Sequence, residues 1–174
     1  LMADQTIIPE KDQKYYSEKI AYLPSYQVND STQSLPETIF TRKDLGLPEA
    51  GFVFCCFNNI FKITPTSFDS WGRILEQVDG SVLLIYVDNE QAKINLTKEI
   101  ALRGIDPSRL VFGKRLPKHE YLARYRVADL FLDTHPYNAG TTASDALQMG
   151  LPVLTYIGNS FASRMAASVI NAVN

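Results

Sequence analysis

A chain of 174 residues that is 45% hydrophobic can bury one full core. Its net charge of −2, with both signs interspersed, leaves no basic footprint for nucleic acid. No stretch approaches the roughly 20 consecutive apolar residues of a membrane span. Both ends read as internal to a longer polypeptide. Met2 stands second, Leu1-Met2-Ala3-Asp4 is acidic where a secretory signal would be basic, and residues 169–174 stop within helical patterning without a cap.

Residues 1–50 are poorly periodic and read as a connector with no core of its own. Residues 15–24 fit a short helix or a packed extended segment. Residues 25–37 are rich in turn formers and read as a loop or linker. Thr41-Arg-Lys-Asp-Leu-Gly-Leu-Pro48 predicts a helical turn ended by Gly46. From Gly51 the pattern changes. Phe52-Val-Phe-Cys-Cys-Phe57 is a continuous apolar run, as in a strand covered on both faces. Cys55 and Cys56, the only cysteines, point to opposite faces of it. They read as buried small hydrophobes in a reduced, cytoplasmic setting.

Thr64-Pro65 sets a capping hydroxyl before an N1 proline, and Phe68, Trp71, Ile74, Leu75 and Val78 follow as one helical stripe. Residues 81–87 form the next strand and residues 89–103 the next helix, with Gly104 as its stop. A short strand at 109–112 precedes a helix over 117–127. The apolar run Leu130-Phe-Leu132 leads into Asp133-Thr-His-Pro-Tyr-Asn-Ala-Gly140 and a helix opening at Thr141-Thr142 and closed by Gly150. Residues 152–156 and 162–173 supply the last strand and helix. These alternations predict an α/β fold, a doubly wound parallel sheet, with its ligands beyond the C-terminal strand ends.

That rule selects the loops after Phe57, Phe112 and Leu132. Neither a Walker A sequence nor Gly-x-Gly-x-x-Gly is present. Asn58, Asn59 and Lys62 offer several donors to an anion, or form a solvated loop with one lysine. Lys118 and His119 fall in a helix's first turn, where positive charge opposes the macrodipole unless an anion gathers there. The planar fork of Arg124 suits phosphate or a carboxylate. The helix start at Gly140, Thr141 and Thr142 presents free N–H groups and hydroxyls to phosphate. Asp145, one turn on, either accepts from a ribose diol or compensates the dipole. His135 reads as loop support, held extended before Pro136. No His, Cys or carboxylate cluster has metal spacing, so neither a metal nor another cofactor is expected.

Four motifs together, Phe57-Asn-Asn-Ile-Phe-Lys-Ile-Thr-Pro65, Pro117-Lys-His-Glu-Tyr-Leu-Ala-Arg124, Asp133-Thr-His-Pro-Tyr-Asn-Ala-Gly-Thr-Thr-Ala-Ser-Asp145 and Phe161-Ala-Ser-Arg-Met-Ala-Ala-Ser168, resemble the O-linked N-acetylglucosamine transferase and SPINDLY family, glycosyltransferase family 41. The likeness is nearest to its bacterial, tetratricopeptide-linked members. Tyr15-Tyr-Ser-Glu-Lys-Ile-Ala-Tyr-Leu-Pro24 is similar to the segment joining that family's two lobes. The resemblance implies the C-terminal lobe of a two-lobed GT-B enzyme at 51–174, with 1–50 as the tail of the N-terminal lobe and the connector.

The resemblance further implies that Lys62 contacts the diphosphate of a sugar nucleotide as the catalytic cation, with Asn59 where relatives often carry Gln. Lys118 would lie beside uracil and ribose, supported by Arg124. Thr141 and Thr142 would bind diphosphate, and Asp145 the ribose. Gly140 and Tyr121 stand where animal relatives have histidines, so this end of the substrate site departs from theirs. The implied reaction is inverting transfer of a sugar, N-acetylglucosamine foremost, from UDP to Ser/Thr hydroxyls of a protein held by upstream helical repeats outside this chain. A fragment of this kind would not turn over alone. The competing readings are a GDP-fucose-dependent O-fucosyltransferase, a sugar-nucleotide 2-epimerase and a non-catalytic scaffold.

Overall fold

The structure, a computed structural model, describes residues 1–27 and 35–173. The middle of the loop predicted at 25–37 therefore lies outside the described residues. Two short strands, β1 (Met2–Ala3) and β2 (Ala21–Tyr22), pair in parallel at the N-terminus around a 3₁₀ turn at Glu10–Tyr15. The predicted turn before Gly46 is a 3₁₀ turn at Lys43–Leu45.

The α/β alternation follows as β3 (Val53–Cys56), α1 (Pro65–Gln77), β4 (Val82–Tyr86), α2 (Glu90–Leu102), β5 (Leu110–Gly113) and α3 (Lys118–Ala123). It ends with β6 (Leu130–Leu132), α4 (Thr141–Gln148), β7 (Val153–Leu154) and α5 (Met165–Asn171). Local chemistry accounts for the boundaries. The Thr64 hydroxyl accepts from the Ser67 N–H at 3.3 Å, with Pro65 at N1, and Asn89 Oδ1 accepts from the Ala92 N–H at 3.0 Å. Gly104 follows α2 at φ +77°, the left-handed conformation that a stop requires. The third helix is shorter than its pattern predicts. Leu122, Ala123, Arg124 and Tyr125 are all buried, covering a full turn, and the chain tightens there into a 3₁₀ turn at Arg124–Val127.

The sheet order is β5-β4-β3-β6-β7, with every pair parallel. The chain enters at the centre, winds outward through β4 and β5, then returns to the other side of β3 as β6 and β7. Phe54 pairs with Leu130 and Cys55 with Phe131 across this reversal. All of β3 is buried, as a central parallel strand must be when helices cover both faces. Strand order thus reverses between β3 and β6, and their C-terminal ends open one crevice. Both cysteines are free and buried, and burial pushes the Cys56 thiol up to about 12.

The N-terminal segment corrects its reading as a coreless connector. Ala3, Ile7 and Ile8 are fully buried in a second small core that Tyr16, Ile20 and Tyr26 share with Phe161 and Met165 from the far end of the chain. Buried Asp4 holds this join. One carboxylate oxygen accepts from the Thr6 and Ile7 N–H groups at 2.9 Å each, and the other from the Tyr26 N–H and the Ser168 hydroxyl. Arg164 adds an ion pair to Asp12 at 2.8 Å. Sequence periodicity misses such a core because its members come from opposite ends of the chain.

Asp4→Ala strands these donors in a buried position, so it should lower the unfolding free energy by about 1–3 kcal/mol in urea titration. An unchanged midpoint would show that the N-terminal join adds nothing to stability.

Candidate functional site

At the crevice, β3 delivers Phe57, Asn58 and Asn59, and β6 delivers Asp133, Thr134 and the loop that reaches Gly140. Asn58 is 1% exposed. Its amide nitrogen donates to Asp133 Oδ1 at 3.1 Å and to Thr134 Oγ1 at 2.8 Å, and its carbonyl accepts from the Thr142 hydroxyl. Asp133 Oδ1 also accepts the Thr134 and Ala139 N–H groups at 2.7 Å each, and its Oδ2 accepts from the Thr155 hydroxyl at 2.7 Å. Burial raises the Asp133 carboxyl above the ordinary range, opposed by these hydrogen bonds. The carboxylate ties β3, β6 and β7 together beyond their C-terminal ends.

Lys62 ends a 3₁₀ turn at Ile60–Lys62 and is half-buried, with Nζ donating to Asn138 O at 3.0 Å and 4.0 Å from the centre of the Tyr137 ring. That bond uses one of three ammonium donors. Burial lowers its pKa, with Asp133 acting the other way. The N-terminus of α4 opens from the same loop. Gly140 is its N-cap residue, no side chain caps it, and Thr141 is exposed at the first turn. A half-desolvated ammonium beside uncapped helix N–H groups is an arrangement suited to an anion.

One turn along α4, Asp145 Oδ2 accepts from the Tyr121 hydroxyl at 3.0 Å. Tyr121 shares a short hydrogen bond with Tyr125, whose hydroxyl also reaches Thr142 O at 3.3 Å. Burial raises the Asp145 carboxyl, while the Tyr121 hydrogen bond and the Lys118 charge lower it. Lys118 itself is exposed at the start of α3. The structure thus joins Lys118 and Tyr121 of α3 to Asp145 of α4 in one patch, and brings Lys62, from the loop after β3, to the loop that leads into Thr141 and Thr142 one turn earlier on α4.

Three further predicted site residues, Arg124, Gly140 and Asn59, lie around these patches. Arg124, read as a fork for phosphate or a carboxylate, is 2% exposed. Its guanidinium lies 3.8 Å from the centre of the Phe57 ring and 4.8 Å from that of Tyr121, donating to Lys114 O at 3.1 Å. Three aromatic rings and a carbonyl take up the cation, so it braces Tyr121 from beneath. Burial lowers its pKa. Gly140 is buried: a Cβ there would stand 2.6 Å from Met165 Cε and 2.7 Å from Tyr26 Oη, so the space for a larger side chain is already filled. Asn59 is exposed and caps the turn Ile60–Lys62, accepting from the Phe61 N–H at 3.4 Å.

His135 is loop support. Its carbonyl accepts from the Thr64 and Ser67 hydroxyls at 2.9 and 3.0 Å, its N–H donates to Ser67, and its bond to Pro136 is cis. Asp133, Thr134 and Asn138 were missed as a buried network. A carboxylate placed directly after the apolar run 130–132 was the available signal. A separate recess of about 600 Å³ opens between α1 and β7, lined by Trp71, Ile74, Leu154 and Tyr156 with Asp133 and His135. None of Lys62, Thr141, Thr142 or Asp145 lines it. Among the described residues no group of three or more His, Cys, Asp or Glu is placed to hold a metal ion.

The model of glycosyl transferase family 41 matches residues 29–174. The chain belongs to that family. It is 33% identical over 175 residues to the Arabidopsis thaliana probable UDP-N-acetylglucosamine–peptide N-acetylglucosaminyltransferase SEC, spanning 97% of this chain and 18% of that protein. The Caenorhabditis elegans UDP-N-acetylglucosamine–peptide N-acetylglucosaminyltransferase is 37% identical over 143 residues, 81% of this chain and 12% of its own length. A solved structure of a mutant Thermobaculum terrenum O-GlcNAc transferase superposes with a TM-score of 0.83 at 26% identity, covering 99% of this chain and 32% of that one. The family 41 chain therefore spans less than a third of each of these relatives. Its Rossmann-like sheet matches the expected fold class. No helix among its described residues is long and apolar enough to cross a membrane.

Removing the Tyr121 hydroxyl takes away the hydrogen bond that lowers the Asp145 carboxyl. Tyr121→Phe should therefore raise the Asp145 pKa further, and Lys118→Met should move it the same way, as read by carboxyl ¹³C titration. A fall in either variant would refute the pairing.

Proposed function

We propose that residues 51–174 form the donor-binding lobe of a protein O-glycosyltransferase of the two-lobed GT-B kind, with residues 1–50 the tail of the preceding lobe and the connector. The donor is UDP-N-acetylglucosamine, the name carried by the relatives, and the acceptor is a Ser or Thr hydroxyl of a protein recognised by helical repeats elsewhere in the polypeptide. Two buried free thiols suit a reduced, cytoplasmic setting.

One observation carries the reading: the Lys62 ammonium, from the loop after β3, donates to Asn138 O in the loop that opens the uncapped start of α4, at the sheet's reversal and one turn from the Asp145 carboxylate. That spacing fits a diphosphate at the first pair and a ribose diol at the second, the order found in a nucleoside diphosphate. Lys118 and Tyr121 flank the ribose and base, Arg124 supports Tyr121, and Asn59 stands at the mouth.

In the proposed reaction the acceptor oxygen attacks the anomeric carbon from the face opposite the diphosphate. The carbon–oxygen bond to phosphate breaks, its electron pair stays on the phosphate, and the hydroxyl proton passes to a base outside this chain. The developing charge falls where Lys62 and the α4 N–H groups already point. Fixed donors of this kind stabilise a leaving group without reorganising. The chain alone is expected to bind nucleotide weakly and to lack turnover.

Calorimetric titration of the full-length protein should show UDP bound more tightly than GDP. Lys62→Ala should cost about 10²–10³ in kcat, as removal of an oxyanion donor does elsewhere, and should weaken UDP more than uridine. No binding of either nucleotide ends the reading, and tighter GDP binding redirects it to a fucose donor. Asp145→Asn should weaken uridine and UDP by the same factor while leaving pyrophosphate unchanged. Loss of pyrophosphate affinity would sink the ribose assignment.

A further inference from the structure

The orientation of the Asn58 carboxamide follows from its partners. The Asp133 carboxylate only accepts, so the amide nitrogen faces it at 3.1 Å. The Thr134 hydroxyl gives its single proton to Tyr137 O at 2.7 Å, so it too can only accept from Asn58. The Asn58 carbonyl is left facing Thr142, whose hydroxyl must be the donor. That hydroxyl has one proton, and the proton is spent. Its remaining lone pairs repel an anion, so Thr142 has only its backbone N–H to offer a phosphate.

Asn58 also stands between the two sources of positive potential. On one side, Thr142 opens α4. On the other, Thr134 O accepts the Asn138 side-chain amide at 2.7 Å, and Asn138 O accepts Lys62 Nζ at 3.0 Å. We propose that Asn58 is the positioning residue of the anion end of the site, registering the Lys62 loop against the start of α4, and that the Thr142 side chain serves Asn58 rather than the ligand. This rests on the reading that a nucleoside diphosphate binds here. It differs from the expectation that both threonine hydroxyls contact the diphosphate, an expectation that only Thr141, exposed on the first turn, still fits.

A double-mutant cycle in the full-length protein tests it, with UDP, pyrophosphate and uridine as ligands and Asn58→Ala, Thr142→Val and their combination as variants. Each single change should weaken UDP and pyrophosphate about tenfold, the loss of one buried hydrogen bond, and leave uridine within about twofold. The double variant should be no weaker than Asn58→Ala alone, since the two groups act as one unit. Multiplying losses would mean that the Thr142 hydroxyl holds the ligand by itself, and would overturn the inference while leaving the glycosyltransferase reading intact. Uridine lost together with UDP would mark Asn58 as merely structural and also overturn it. A wild-type protein that binds neither UDP nor pyrophosphate overturns the reading and the inference together. If Asn58→Ala does not fold, hydrogen exchange over residues 138–148 of ligand-free Thr142→Val decides. Faster exchange than wild type supports the role, and unchanged exchange overturns it.

Discussion

The site depends on one buried carboxamide shared by three segments. Asn58 follows the central strand, Asp133 and Thr134 follow its neighbour across the reversal, and Thr142 begins the helix that leaves it. A polar group at this depth is costly unless every donor and acceptor is matched, because water cannot reach it. Matching them requires all three loops to be in register at once. The crevice of a doubly wound sheet would otherwise be bounded by independent loops. Here it is bounded by a single hydrogen-bonded unit, and the positions of Lys62 and the first turn of α4 follow from that unit.

The cations around this unit are held without a carboxylate partner. Lys62 meets a carbonyl and a ring rather than a carboxylate, and Arg124 meets three rings and a carbonyl. Both cations are partly desolvated and have their pKa lowered by burial. An ammonium without a local counter-ion retains most of its potential toward a bound anion. Asp133, whose charge acts on Lys62, spends its oxygens on four donors from the loops. Its charge thereby serves the scaffold more than it neutralises Lys62. Asp145, partnered on one oxygen by Tyr121, keeps the other edge of its carboxylate for hydrogen bonding.

The N-terminal segment contributes through shape. Asp4 and Arg164 lock residues 1–27 against the start of α5, and that brings Tyr26 and Met165 against Gly140. The absence of a side chain at 140 is thus explained by close approach and not by backbone conformation, since its φ is −111°. A substitution there would have to move the Met165 methyl and the Tyr26 hydroxyl, side-chain ends that belong to the N-terminal join.

The sequence by itself determined the alternation of strands and helices, because caps such as Thr64-Pro65, the stop at Gly104 and the three-and-four stripe of α1 are local signals that act within one or two turns. The strand-order rule then located the crevice, and the motifs carrying Lys62, Lys118, Thr141 and Asp145 placed the chain in family 41. Tertiary structure decided what each polar side chain does. Arg124 looks like a surface fork until Phe57, Tyr86 and Tyr121 enclose it, and Thr142 looks like a ligand hydroxyl until Asn58, 84 residues away, takes its proton. The small core around Ile7 and Ile8 needs Phe161 and Met165 from the opposite end of the chain. A proton has one destination and a buried cation needs specific neighbours. Both are settled by contacts between residues far apart in the chain, which no local pattern encodes.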